Sequence, residues 1–243
     1  MFYGNIKNYD VANGEGVRIS LFVSGCRHHC KNCFQPQTWN FCYGKEFTSD
    51  TEQQILDMLK PNYIKGITLL GGEPFEPENQ PALVSLLNKI KSTYRDKDVW
   101  CYSGYTYEQL LGKEKFVPSS ENESQSANSE TIDTNKTQYQ SQNTQNKICE
   151  NKSQLQGKIN ETVSQNCKFQ QKNNKNTVVL AKSHPRTDKT DEMLSLIDVL
   201  VDGEFVDSKK DISLNFRGSS NQRIIDLNQT RMQGKVVLHK LNN

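Results

Sequence analysis

Three cysteines crowd one short stretch, GCRHHCKNCF (Gly25–Phe34), in the order Cys26-x3-Cys30-x2-Cys33. Thiolates are the usual ligands of iron–sulfur clusters. Three on one loop can hold three corners of a cube and leave the fourth iron open to a small molecule. A structural zinc site is instead closed by four ligands. His28 or His29 could be offered as the fourth, yet both sit inside the loop, where reaching a metal held by all three sulfurs is awkward. The spacing favours a cluster and leaves zinc open. A second group follows at LLGGEPF (Leu69–Phe75). Gly71 and Gly72, after an apolar run, let backbone approach a ligand closely. Glu73 adds an acceptor suited to an ammonium group, and Pro74 stops the run. Alone, the glycine pair reads as a plain strand-ending turn; behind a cysteine loop of this spacing it reads as part of a site.

Both groups follow segments that read as strands. Val17 to Ser24 is apolar and β-branched and runs into Gly25, while Gly66 to Leu70 ends at Gly71-Gly72. Asp98 to Tyr102 ends at Ser103-Gly104, Asp198 to Gly203 ends in a turn, and Ser213 to Gly218 reads as one more strand. Helices are predicted from Thr51, as N-cap, to Lys60; from Pro81 to Arg95, with Leu83, Leu86, Leu87 and Ile90 at helical spacing; from Tyr107 to Leu111; and from Asp191 to Ile197. This alternation predicts an α/β fold with a mainly parallel sheet, whose chemistry gathers at the C-terminal ends of the strands. From Pro118 to Thr190 the chain is dominated by Asn, Gln, Ser, Thr and Lys, with too few apolar residues to offset chain entropy. Only Thr177–Ala181 could pack as a strand there. One core domain, 1–117 with 191–243, is expected around a mostly disordered insertion over 118–190; a small polar subdomain is the alternative.

The 243 residues carry a net charge of +2, with acids and bases interspersed, which leaves no footprint of a dedicated nucleic-acid binder. No apolar run approaches the roughly 20 residues of a membrane span, and the start, MFYGNIKNYD, lacks signal-peptide character. Seven cysteines without a disulfide-scaffold pattern fit a reducing, cytoplasmic setting. Cys42, Cys101, Cys149 and Cys167 are scattered and read as free thiols. Trp39 and Trp100 read as packing residues, and His184 and His239 lack usable context. Ser103-Gly104-Tyr105 superficially resembles a glycyl-radical sequence, but its place behind a strand suits a turn better. Asp202 either faces the site or caps a turn, and Arg217 reads as half of an ion pair.

Cys-x3-Cys-x2-Cys followed by aromatic Phe34, then Gly-Gly-Glu-Pro at a strand end, resembles the radical S-adenosylmethionine (SAM) superfamily. The resemblance implies a partial (β/α) barrel, a [4Fe–4S] cluster on Cys26, Cys30 and Cys33, and SAM chelating the open iron through its amino and carboxylate groups. It places Gly71, Gly72 and Glu73 at that amino group, and Asn32, Cys33 and Phe34 beside the adenine. More narrowly, NGEGVRISLFVSGCRHHCKNCFQPQTWNF, SGYTYEQLL, IDVLVDGEF and LNFRGSSNQRIID resemble the activating proteins of anaerobic (class III) ribonucleotide reductases. Asn13–Gly16, Trp39, Asp202-Gly203 and Arg217–Ser220 carry this narrower likeness, and the insertion after Leu111 departs from it. The family then implies reductive cleavage of SAM to methionine and a 5′-deoxyadenosyl radical, and a glycyl radical made on the large subunit of the anaerobic reductase. It also implies a flavodoxin-like or other one-electron donor. The competing readings are an activating enzyme for another glycyl-radical protein of formate-lyase type, a small-molecule enzyme of the carboxy-deazaguanine synthase type, and a non-catalytic zinc-binding module.

Overall fold

In a computed structural model that describes residues 1–114 and 185–242, the apolar runs Val17–Val23 (β2), Ile64–Gly71 (β4), Asp98–Ser103 (β5) and Val199–Asp202 (β6) lie side by side as parallel strands. Three antiparallel strands extend this centre. Phe2–Asp10 (β1) pairs with β2, the two-residue Lys45–Glu46 (β3) pairs with the start of β1, and Arg223–Asp226 (β7) pairs with β6. The resulting sheet has the order β3-β1-β2-β4-β5-β6-β7, a mixed α/β arrangement with a mostly parallel middle. Helices Ser49–Leu59 (α1), Gln80–Thr93 (α2), Tyr107–Leu110 (α3), Thr190–Leu196 (α4) and Leu227–Gln233 (α5) complete it.

Alternation along the strands sorts their side chains between two faces. Ile19, Leu21, Val23, Ile67, Leu69, Val99, Cys101 and Leu200 share one core with Ile55 and Leu59 of α1 and Leu83, Leu86, Leu87 and Ile90 of α2. The opposite face carries a smaller cluster of Trp100, Val201 and Ile224 beside polar groups. Arg18 is fully buried there. Its charge is tolerated because Nη2 lies 2.6 Å from Asp98 Oδ1, Nε donates to Thr68 Oγ1 at 2.8 Å, and the guanidinium lies over Trp100. Trp100 is thus a packing residue, as expected.

Several local expectations need correction. The N-cap of α1 is Thr48, not Thr51; Thr51 is the third helical residue and closes a reciprocal capping box with it. Ser213–Gly218 forms turns and bends rather than a strand, and Phe216 sits at a left-handed φ of 49°. β1, β7 and α5 were not foreseen. The insertion expected over 118–190 lies outside the described residues as far as 184, and so do the expected strand Thr177–Ala181, Cys149, Cys167 and His184. The described chain returns at Pro185, where fully buried Gln80 donates to Phe75 O (2.7 Å) and Pro185 O (2.6 Å) and accepts from the Thr187 and Thr190 hydroxyls. No helix among the described residues is long and apolar enough to cross a membrane.

Candidate active site

The cysteine loop leaves β2 at Gly25, whose φ of +95° and contact with the Phe41 ring leave no room for a side chain. It bends again at His29 and Asn32, both left-handed (φ 51° and 56°), and Cys33 N–H closes a turn onto Cys30 O at 3.1 Å. A helical turn at Pro36–Trp39 braces it: Gly25 N–H donates to Thr38 O (2.8 Å), Cys26 N–H to Trp39 O (3.4 Å), and the His29 ring stacks on Trp39 at 4.6 Å. Arg27 ion-pairs with buried Glu76 and with Glu78, and its backbone N–H donates to Glu76 Oε1 at 2.7 Å.

The glycine turn touches this loop directly. Gly72 N–H donates to Val23 O at 2.7 Å, and Glu73 N–H to Gly25 O at 2.8 Å. A Cβ on Gly72 would lie 2.5 Å from Gly25 O, and one on Gly71, whose φ is +108°, 2.8 Å from Phe22 Cα. What these glycines admit in this structure is therefore the backbone at the exit of β2. Glu73 is buried and turned inward, accepting from Ser103 Oγ (2.9 Å), Gly104 N–H (2.7 Å) and Phe75 N–H (2.9 Å), with His28 Nε2 at 3.2 Å. His28 also lies against Tyr105, with ring centroids 4.4 Å apart, and a Cβ on Gly104 would meet its Nε2 at 2.6 Å. Ser103-Gly104-Tyr105 is thus a packed turn beside the site.

The far side of the loop meets the segment after β6. The Cys30 thiol lies 3.6 Å from Glu204 Oε1, Asn32 Nδ2 donates to Asp207 Oδ2 at 2.8 Å, and the Phe34 ring lies 5.0 Å from that of Phe205. Gln222 holds this segment in shape, donating to Gly203 O and accepting from the Gly218 and Ser219 N–H groups; Asn221 Nδ2 donates to Glu204 O. These contacts explain the RGSSNQR stretch, and composition alone offered no signal for them. Asp202, left open between two roles, is a structural anchor: it binds Arg223 through both oxygens and accepts Tyr107 N–H at 2.7 Å. Arg217 Nη1 donates to Gln222 O (3.2 Å) and Asn242 Oδ1 (3.3 Å).

Cys26, Cys30 and Cys33 are free and half-buried. Burial, reinforced by the charge of Glu73, holds the Cys26 thiol well above its usual range. Burial first, then the charge of Glu204, pushes Cys30 up to about 12. Among the described residues no three His, Cys, Asp or Glu side chains already converge as a metal site. The fit to a cluster rests on donor chemistry: three thiols on one loop that reverses twice, two of which, Cys26 and Cys30, are penalised as anions until a cation joins them. Cys101 is free but buried in the core on β5. Cys42 is not among the free thiols, contrary to expectation.

The chain matches the 4Fe-4S single cluster domain family over residues 12–153 and 152–225. It is 45% identical over 103 residues to the anaerobic ribonucleoside-triphosphate reductase-activating protein of Pasteurella multocida, covering 42% of this chain and 65% of the relative. The protein of that name from Enterobacteria phage T4 is 38% identical over 110 residues (45% of this chain, 70% of the relative), and that from Escherichia coli K12 39% over 112 (45% and 73%). The chain thus spans about two thirds of the length of the relatives it matches. No solved structure matches it. On the cysteine loop, its glycine turn and these matches together, the chain belongs to the family of anaerobic ribonucleoside-triphosphate reductase-activating proteins.

Proposed function

We propose that the protein activates the anaerobic ribonucleoside-triphosphate reductase by generating a glycyl radical on it, as a radical SAM enzyme. The observation that carries this reading is the backbone seam between the three-thiol loop and the glycine turn, Gly72 N–H to Val23 O and Glu73 N–H to Gly25 O. On this reading Cys26, Cys30 and Cys33 hold the cluster at the C-terminal ends of the parallel strands, and the sheet is the superfamily's partial (β/α) barrel. When bound, the [4Fe–4S] cluster supplies the one electron that splits SAM into methionine and a 5′-deoxyadenosyl radical, which takes hydrogen from a glycine of the reductase.

The chain's own part is positioning and exclusion. Gly71, Gly72 and Glu73 form the rigid turn at the SAM amino group. The Glu73 carboxylate fixes that turn from within, through Ser103 and Gly104, so contact with the ammonium falls to the backbone. Asn32, Cys33 and Phe34 flank the adenine; Phe34 is 66% exposed and backed by Phe205, which offers a supported flat face. The electron donor is a flavodoxin-like or similar one-electron protein, and the setting is the reducing cytoplasm.

Anaerobic reconstitution with iron and sulfide, followed by dithionite and SAM, is expected to yield 5′-deoxyadenosine, and Cys30→Ala to abolish it. Addition of the reductase is expected to give a glycyl-radical signal by electron paramagnetic resonance. Turnover that persists in Cys30→Ala removes that thiol from the ligand set. A chain purified anaerobically with zinc, and with neither iron nor sulfide, favours the non-catalytic module.

A further inference from the structure

β3 covers only the beginning of β1, with Phe2 opposite Glu46 and Tyr3 opposite Lys45. Gly44, just before β3, lies against Gly4, and from Asn5 to Tyr9 no strand among the described residues lies along the side of β1 that faces away from β2. The N–H and C=O groups of such an edge form a template for another extended chain.

This edge opens beside a cavity of about 440 Å3 lined by Asn5 of β1, Phe22 of β2, and Phe34, Gln35, Gln37 and Tyr43 from the stretch that follows the cysteines. Three carboxamides among aromatic walls suit a peptide backbone, because each carboxamide can donate to a carbonyl and accept from an N–H. No acidic side chain lines the cavity, and its one charged lining residue, Lys7, is drawn to Asp10 at 3.5 Å. Phe34, which lines the cavity, directly follows Cys33 in the chain, so the cavity and the cysteine loop share this wall.

We infer that an extended segment of the reductase docks along Asn5–Tyr9 of β1 and passes through this cavity, carrying its glycine towards Phe34. The inference rests on the activation reading above. A second copy of this chain fits less well, since antiparallel pairing about the middle of the edge sets the two Lys7 ammonium groups near each other.

The test is hydrogen exchange on the full-length reconstituted protein, alone, with SAM, and with the reductase. Amides within residues 5–9 are expected to slow about tenfold or more when the reductase is added, and not with SAM alone. The pair Asn5→Ala and Gln37→Ala is expected to weaken reductase affinity about tenfold and to leave SAM cleavage without the reductase unchanged. Unchanged exchange in a complex that still forms the glycyl radical overturns the docking site. Slowing by SAM alone assigns the cavity to the cofactor, and slowing that tracks protein concentration without reductase assigns the edge to a second copy; either overturns the inference. If no complex forms and no glycyl radical appears, the activation reading itself fails.

Discussion

The Glu73 carboxylate accepts the Gly104 N–H at 2.7 Å, so the turn after β4 and the turn after β5 share one buried anion. Ser103 Oγ, Phe75 N–H and the His28 ring complete its surroundings. Glu73 therefore knots two strand ends to the cysteine loop. Its side chain shapes the site from behind.

Glu73→Ala strands the Ser103, Gly104 and Phe75 donors, each of which costs about 1–3 kcal/mol when buried without an acceptor. A loss of about 3 kcal/mol is expected in urea unfolding of the metal-free protein. A loss under about 1 kcal/mol would mean that the donors find other acceptors.

Gly72→Ala places a methyl group 2.5 Å from Gly25 O, where only backbone can give way. Overpacking of this kind costs about 1–3 kcal/mol, and here the strain falls on the loop that carries the thiols. Iron bound after reconstitution is expected to drop well below that of the unmodified protein. Full iron loading would show that the loop shifts without harm.

Gln80→Leu keeps similar bulk in a fully buried position but removes two donated and two accepted hydrogen bonds. Stability is expected to fall by about 2–4 kcal/mol, and limited proteolysis near Pro185 to accelerate. An unchanged cleavage pattern would mean that Gln80 does not hold the returning chain.

Hydrogen bonds from Arg223 hold the Glu108 carboxyl below its usual range. The native state thus binds this proton more weakly than the unfolded chain does. The carboxylate adds stability above about pH 4.5 and loses it as the pH falls through its lowered native value. Glu108→Gln is expected to show a shallower acid dependence below that pH in urea titrations. The loss at neutral pH should stay under about 1 kcal/mol, because the pair is partly solvated. Parallel acid limbs for the two proteins would contradict this.

The four parallel strands were legible because mostly apolar runs such as Ile19–Val23 and Ile67–Leu70 are buried on both faces of the sheet. β1 was not: Asn5, Lys7, Asn8 and Tyr9 are exposed, so FYGNIKNYD shows little of the alternation that betrays a strand. The apolar SLNF misled in the other direction, since Phe216 turns back onto Trp100 instead of continuing a ladder. The cysteine spacing is local and was readable at once. The inward turn of Glu73, the brace from Glu204 and Asp207, and the anchoring role of Asp202 depend on residues far apart in the chain, and no window on the sequence brings them together.

Cys30 meets Glu204 across 174 positions, and Asn32 meets Asp207 across 175. During synthesis the three thiols leave the ribosome long before either partner has been translated. A nascent chain therefore carries its sulfurs without their buttress until the segment bearing Glu204 and Asp207 has also emerged.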